Sequence, residues 1–223
     1  MRRLIILRPE PGASASLGRA RALGLDAVAM PLFEVRPLAW TPPDPKIFDA
    51  VLTTSANALR HGGDGLMLFR ELPLHAVGEA TADAAREAGF ADVTAGTGDV
   101  DALLASLPSG LHLFYPCGRE RRDLSHALQA ILSVPVYAAE ALPMPEGFPD
   151  IEGAVIAVHS PRAGERLFEL AQASDRSTIR IAAISAEAAQ AAGKGWAEVA
   201  SAAEPTDRAL LELAARLCEK PSP

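Results

Sequence analysis

The chain is poor in several things, and each absence removes a class of function. It has two cysteines, Cys117 and Cys218, in 223 residues. Two are too few for a disulfide framework and suit a reducing compartment. Basic residues are in deficit: 21 Lys and Arg stand against 28 Asp and Glu, a formal charge of −7. A nonspecific nucleic-acid binder needs a basic face, which this balance disfavours. No apolar stretch approaches the ~20 residues of a membrane helix, and the run Leu4-Ile5-Ile6-Leu7 after Arg2 and Arg3 is shorter than the ~7–15 residues of a signal-peptide core. A cytoplasmic protein without nucleic-acid or membrane partners is expected. Aromatic residues make up 5%, with only two tyrosines, Tyr115 and Tyr137.

Signature motifs are missing too. The sequence has no G-x-x-x-x-G-K-[ST] phosphate loop, no G-x-G-x-x-G after its first apolar run and no G-x-S-x-G elbow. The five histidines, His61, His75, His112, His126 and His159, lack metal-ligand spacing. Metal, nucleotide and serine acyl-transfer chemistry all lose ground.

What is there is an alternation. Short apolar runs begin at Leu4, Ala50, Ala76, Leu111, Ala154 and Ile181, and alanine-rich helical patterns such as Ala80–Ala88 lie between them. Runs of this kind suit strands buried on both faces, and strand–helix alternation implies parallel sheets covered by helices. Gly24, Gly89 and Gly193 follow helical stretches as stop signals. The chain also resembles itself. Ala76–Ala85 is similar to Ala183–Ala192, Gly89–Val93 to Gly195–Val199, and Asp101–Leu104 to Asp207–Leu211, at an offset of about 106 residues. Met1–Glu34 and Gly110–Glu140 share a plan of strand, helix, strand. Two proline-rich stretches, Arg36–Pro45 and Leu142–Pro149, read as extended crossings. The fold expected is α/β: two flavodoxin-like domains, 1–36 plus 142–223 and 37–141, with the chain crossing twice and an active cleft between them. One continuous doubly wound sheet is the alternative.

Five loops leave strand ends and are expected to enter helices: Thr53–Asn57, Gly78–Thr81, Pro116–Arg119, His159–Arg162 and Ser185–Glu187. Ligands bind outside the carboxyl ends of strands in open α/β sheets, and helix N-termini present free N–H groups to anions. Substrate contacts are therefore expected at Thr54, Ser55, Ala56, Gly78, Thr81, Cys117, Gly118, Ser160, Ser185 and Ala186. Arg8, Arg119 and Arg162 could pair with carboxylates, and Arg121 and Arg122 cluster beside Arg119. Each serine or threonine could equally be an N-cap alone. Tyr137 stands just before the second crossing, where a phenol could donate a proton. Nothing in its neighbourhood marks Cys117 as a nucleophile, and a buried thiol is the plainer expectation.

Val51–Ala58, Ala76–Thr81, Tyr115–Gly118, Val136-Tyr137, His159–Arg162 and the ending Ala203–Leu210 together resemble the uroporphyrinogen-III synthase family, in order and spacing, over residues 2–217. The resemblance implies the twice-crossed two-domain architecture and the cyclisation of hydroxymethylbilane, an octacarboxylate, with loss of water and inversion of its last ring. It implies no metal or organic cofactor and a monomer, with transient contact to hydroxymethylbilane synthase. It makes Tyr137 the general-acid candidate. Two departures stand out: Ser185-Ala186-Glu187-Ala188 replaces the family's glycine-proline-threonine type turn, and Gly62-Gly63-Asp64-Gly65 shortens the helix after Asn57. The residues by themselves leave two other readings open: a two-lobed binding module for an anionic small molecule without turnover, and a nucleotide-sugar transferase.

Overall fold

The computed structural model describes residues 1–121 and 123–219. The chain forms two compact units, one of Met1–Glu34 with Ala141–Pro223 and the other of Val35–Glu140.

The first unit is built on a five-stranded sheet of β1 (Leu4–Ile6), β2 (Ala27–Ala29), β9 (Val155–Val158), β10 (Arg180–Ala183) and β11 (Glu198–Ser201). The order is β11-β10-β9-β1-β2 with every pairing parallel. Numbered within the unit this is 2-1-3-4-5, the flavodoxin-like order, with its switch point between β1 and β9. All residues of β1, β9 and β10 are buried; β1 and β9 are continuous apolar runs covered on both faces, and β10 is apolar after Arg180. Helices α1 (Gly12–Ala22), α5 (Pro161–Leu170), α6 (Ala186–Ala191) and α7 (Asp207–Glu219) complete the unit. In α7, Leu210, Leu211, Leu213, Ala214 and Leu217 recur at helical spacing and pack against Leu4, Ile6, Val155 and Ala157. Arg180 is buried within the sheet, where its guanidinium donates to the Leu217 carbonyl at 3.0 Å and pairs with Glu198 at 3.6 Å.

The second unit carries the six-stranded order β3-β8-β7-β4-β5-β6. Its strands are β3 (Phe33–Pro37), β4 (Ala50–Thr53), β5 (Leu74–Val77), β6 (Val93–Gly96), β7 (His112–Gly118) and β8 (Ala130–Ala141), and β8, β7, β4, β5 and β6 pair in parallel. Helices α2 (Ala56–His61), α3 (Glu79–Glu87) and α4 (Val100–Ser106) follow β4, β5 and β6. The few aromatic residues are concentrated here. Phe69 stacks on Phe114 with ring centroids 4.0 Å apart, and Phe48 and Trp40 lie 5.5 and 5.9 Å from Phe114. Such pairs contribute roughly 0.5–1.5 kcal/mol each beyond area burial.

Local punctuation follows the sequence. Gly89 and Gly193 take φ of 91° and 76° directly after helical segments, a conformation costly for any residue with a Cβ. After Asn57 the helix is short: α2 has six residues and gives way to a 3₁₀ segment at Asp64–Phe69. One expectation is corrected. Among the described residues no helix joins β7 to β8, so Gly110–Glu140 does not follow the strand, helix, strand plan of Met1–Glu34. The edge strands β6 and β11 are not marked by apolar runs. Neither holds a buried residue, and their register is set by β5 and β10. No helix among the described residues is long and apolar enough to cross a membrane.

Candidate functional site

In the second unit the strand order reverses between β4 and β7, and a cavity of about 290 Å³ lies at the carboxyl ends of these strands. Thr54, Tyr115, Gly118, Arg121, Asp99 and Tyr137 are among its walls. The strands aim these residues into it. Thr54 follows the last residue of β4, and Tyr115 and Gly118 belong to β7. Tyr137 belongs to β8, whose pairing with β7 is regular from His112↔Ala130 to Cys117↔Pro135 and then shifts to Gly118↔Tyr137. That bulge re-aims the last residues of the pair, as bulges near sites do. Pro135 sits at the irregularity, where a missing N–H is tolerated.

Tyr137 fits against Gly118 closely. A Cβ at position 118 would stand 3.0–3.2 Å from the phenol ring and hydroxyl, so glycine is what leaves room for the side chain. The Ser55 side chain acts on the Tyr137 hydroxyl. Burial pushes its pKa above the ordinary phenol value. The Ser55 side chain opposes that rise, and the nearby Cys117 and Glu120 add to it. Tyr137 is thus held as a protonated phenol at neutral pH. Tyr115, absent from the sequence-based candidates, is its counterpart on β7. It is 3% exposed and its hydroxyl lies 2.8 Å from Thr54 Oγ1. Burial raises its pKa as well, against the hydrogen bond shared with Thr54.

The expected loop contacts fare differently from one another. Ser55 is the N-cap of α2, its hydroxyl accepting from the Asn57 N–H at 3.2 Å. Ala56 is the first residue of that helix. Gly78 precedes α3 with φ 82°, and Thr81 is buried with its N–H already donated to the Gly78 carbonyl at 3.2 Å. Pro116, Cys117 and Gly118 are strand residues rather than the start of a helix, so the expected N-terminal anion site is not formed there. Cys117 is 2% exposed and burial pushes its thiol up to about 11, which leaves it unreactive. Arg119 donates its backbone N–H to the Tyr137 carbonyl at 2.8 Å and pairs with Glu140 at 2.9 Å. Arg122 lies outside the described residues.

In the first unit Ser160 caps α5 by accepting from the Ala163 N–H, and Ser185 caps α6 by accepting from the Ala188 N–H, each at 3.2 Å. Ala186 begins α6 and is exposed, and Glu187 stands in its first turn. The Arg162 guanidinium lies 4.7 Å from the centre of the Phe33 ring. Arg8 is engaged with a carboxylate of the chain itself, 3.2 Å from Asp207 Oδ1. Asp207 also takes Ser16, Arg19 (2.7 Å) and His159 (2.8 Å), which draws the ends of β1 and β9 to the start of α7. His159, its side chain 6% exposed, is held below its ordinary pKa by burial, against the pull of Asp207. Burial acts to raise the Asp207 carboxyl, but its hydrogen bonds to His159, Ser16 and Arg19 outweigh that and hold it well below the usual range. Among the described residues no group of three His, Cys, Asp or Glu side chains could hold a metal ion.

The comparisons with known proteins point one way. A family model described as Uroporphyrinogen-III synthase HemD matches residues 15–212. The structure is similar to the crystal structure of uroporphyrinogen-III synthetase from Helicobacter pylori 26695, with a TM-score of 0.69 at 18% identity over 97% of this chain and 100% of that one. It is also similar to a mutant uroporphyrinogen III synthase from the extremely thermophilic bacterium Thermus thermophilus, with a TM-score of 0.57 at 19% identity over 99% of this chain and 100% of that one. At such identities the structural likeness is one of fold. No curated protein sequence matches the chain.

Proposed function

The chain belongs to the uroporphyrinogen-III synthase family, and from that premise we propose that it cyclises hydroxymethylbilane to uroporphyrinogen III, as a hydro-lyase of tetrapyrrole biosynthesis working in the cytoplasm as a monomer. The family match over residues 15–212 carries this reading. The cavity beside Tyr137 supports it.

Two tasks follow from the chemistry. Hydroxide must leave the hydroxymethyl carbon, and the linear chain must be folded so that the substituted carbon of the last ring attacks that centre. Tyr137 is the proposed general acid for the first task. A phenol near or above its ordinary pKa of ~10 is still a far stronger acid than water, at about 15.7, so proton transfer to the departing hydroxide is downhill. The second task is positional, and holding the reacting ends together supplies rate. We assign it to the strand-end loops beside the cavity of the second unit, where the loop after β4 carries Thr54 and Ser55. Arg8 and Arg119 already have carboxylate partners in the chain, so their engagement with substrate would mean exchanging Asp207 and Glu140.

The test supplies hydroxymethylbilane and follows its disappearance. We expect consumption well above the protein-free rate, and a kcat reduced about 10²-fold or more by Tyr137→Phe in a folded protein. Consumption at the protein-free rate would contradict turnover and favour a binding module. An unchanged kcat in Tyr137→Phe would remove the general-acid role.

A further inference from the structure

Both tyrosines of the chain line one cavity. The Tyr115 hydroxyl is hydrogen-bonded to Thr54, on the loop that leaves β4. The two phenols come from neighbouring strands, β7 and β8. Tyr115 is almost wholly enclosed, whereas Thr54 is partly exposed and stands at the cavity wall. Tyr115 packs with Leu52, Leu113 and Cys117, an apolar setting that phenylalanine would fill equally well. What tyrosine adds there is one hydroxyl, and the structure gives that hydroxyl to Thr54.

A hydroxyl has one hydrogen to donate and two lone pairs to accept with. When the Tyr115 O–H donates to Thr54 Oγ1, the Thr54 hydrogen is left for the cavity and its rotation about Cβ–Oγ is restricted. We propose that Tyr115 is a positioning residue for substrate binding: its hydroxyl holds Thr54 so that the Thr54 O–H donates to a carboxylate oxygen of the substrate, beside Tyr137. The inference rests on the synthase reading above and deepens it. It divides the labour between the phenols, with Tyr137 serving the departing hydroxyl and Tyr115 acting through Thr54 on binding.

The test compares wild type, Tyr115→Phe, Thr54→Val, Thr54→Ser and the Tyr115→Phe/Thr54→Val double variant in steady-state kinetics with hydroxymethylbilane. Loss of one such hydrogen bond corresponds to about a five- to tenfold rise in KM, with kcat within about twofold, because the lost contact serves ground and transition states alike. The double variant should be no worse than the worse single variant, since both substitutions remove the same interaction. Thr54→Ser, which keeps the hydroxyl, should retain the wild-type KM. A merely structural role for Tyr115 would lower the melting temperature and leave KM unmoved. An active wild type with an unchanged KM in Tyr115→Phe, or with fully additive effects in the double variant, would overturn the inference while the synthase reading stands. An inactive wild type would overturn both.

Discussion

At the scale of single residues, His159 shows how burial becomes a pH response. Its ring faces Asp207 from α7, while Arg8 after β1 and Ser16 and Arg19 from α1 share that carboxylate. Burial keeps the folded imidazole pKa below its unfolded value near 6.5. As pH falls below about 6.5 the unfolded chain takes up a proton that the folded one resists, so the contribution present at neutral pH is lost on acidification. The Asp207 carboxyl, also depressed, acts in the same direction at lower pH, below the ordinary carboxylate range. The melting temperature should therefore fall between pH 7 and 5. In His159→Gln, which keeps an N–H donor toward Asp207 but cannot titrate, the fall should be shallower. An equal slope in both proteins would mean that the imidazole does not titrate on unfolding. The sequence offered His159 only as a loop histidine beside Ser160. Its partner stands 48 residues later, a distance at which no local pattern operates. Tyr115 was hidden for the same reason, since Thr54 lies 61 residues before it. Tyr137 could be singled out because tyrosine is scarce and this one stands just before a proline-rich stretch.

At the scale of elements, the buried strands were legible and the edges were not. β1 and β9 are wholly apolar and β4 and β10 nearly so, with Thr53 and Arg180 the exceptions, and all four are buried throughout, so composition marks them. β6 and β11 contain Thr94 and Glu198 and stay partly exposed, and tertiary pairing rather than local apolarity makes them strands. The segment after Cys117-Gly118 misled because the serine-capped loops after β4, β9 and β10 do enter helices, whereas β7 continues through Gly118 and is followed by β8. Packing between helices gives a prediction at this scale. On α5, a Cβ at Gly164 would stand 2.8 Å from the Ala192 nitrogen and 2.9 Å from the Ala188 carbonyl oxygen of the α6 segment. Both are backbone atoms and cannot rotate away. Gly164→Ala should therefore destabilise the protein by roughly 1–3 kcal/mol through overpacking, despite the better helix propensity of alanine. Chemical denaturation measures this directly, and an unchanged or raised midpoint would show that α5 and α6 separate without cost.

At the scale of the whole molecule, the α/β class and parallel sheets were readable from alternation alone, and the structure shares its fold with the synthases from Helicobacter pylori and Thermus thermophilus. The site was legible as a set of strand-end loops but not as a constellation. Hydroxyl pairs such as Thr54–Tyr115 depend on a sheet order, β8-β7-β4, that reverses the chain order and that no local motif encodes. Net charge gives the wrong intuition here. A chain of −7 is proposed to bind an octacarboxylate, and what would overcome the repulsion is local: capped helix starts and oriented hydroxyls rather than a basic surface. The central claim concerns conformational control, because spontaneous closure of hydroxymethylbilane gives the type I isomer and only inversion of the last ring gives type III. The most direct test generates hydroxymethylbilane in situ with its upstream enzyme, adds this protein, oxidises the products and separates the porphyrin isomers by chromatography. The account predicts mainly type III product. Type I alone, formed at the rate seen without the protein, would contradict it.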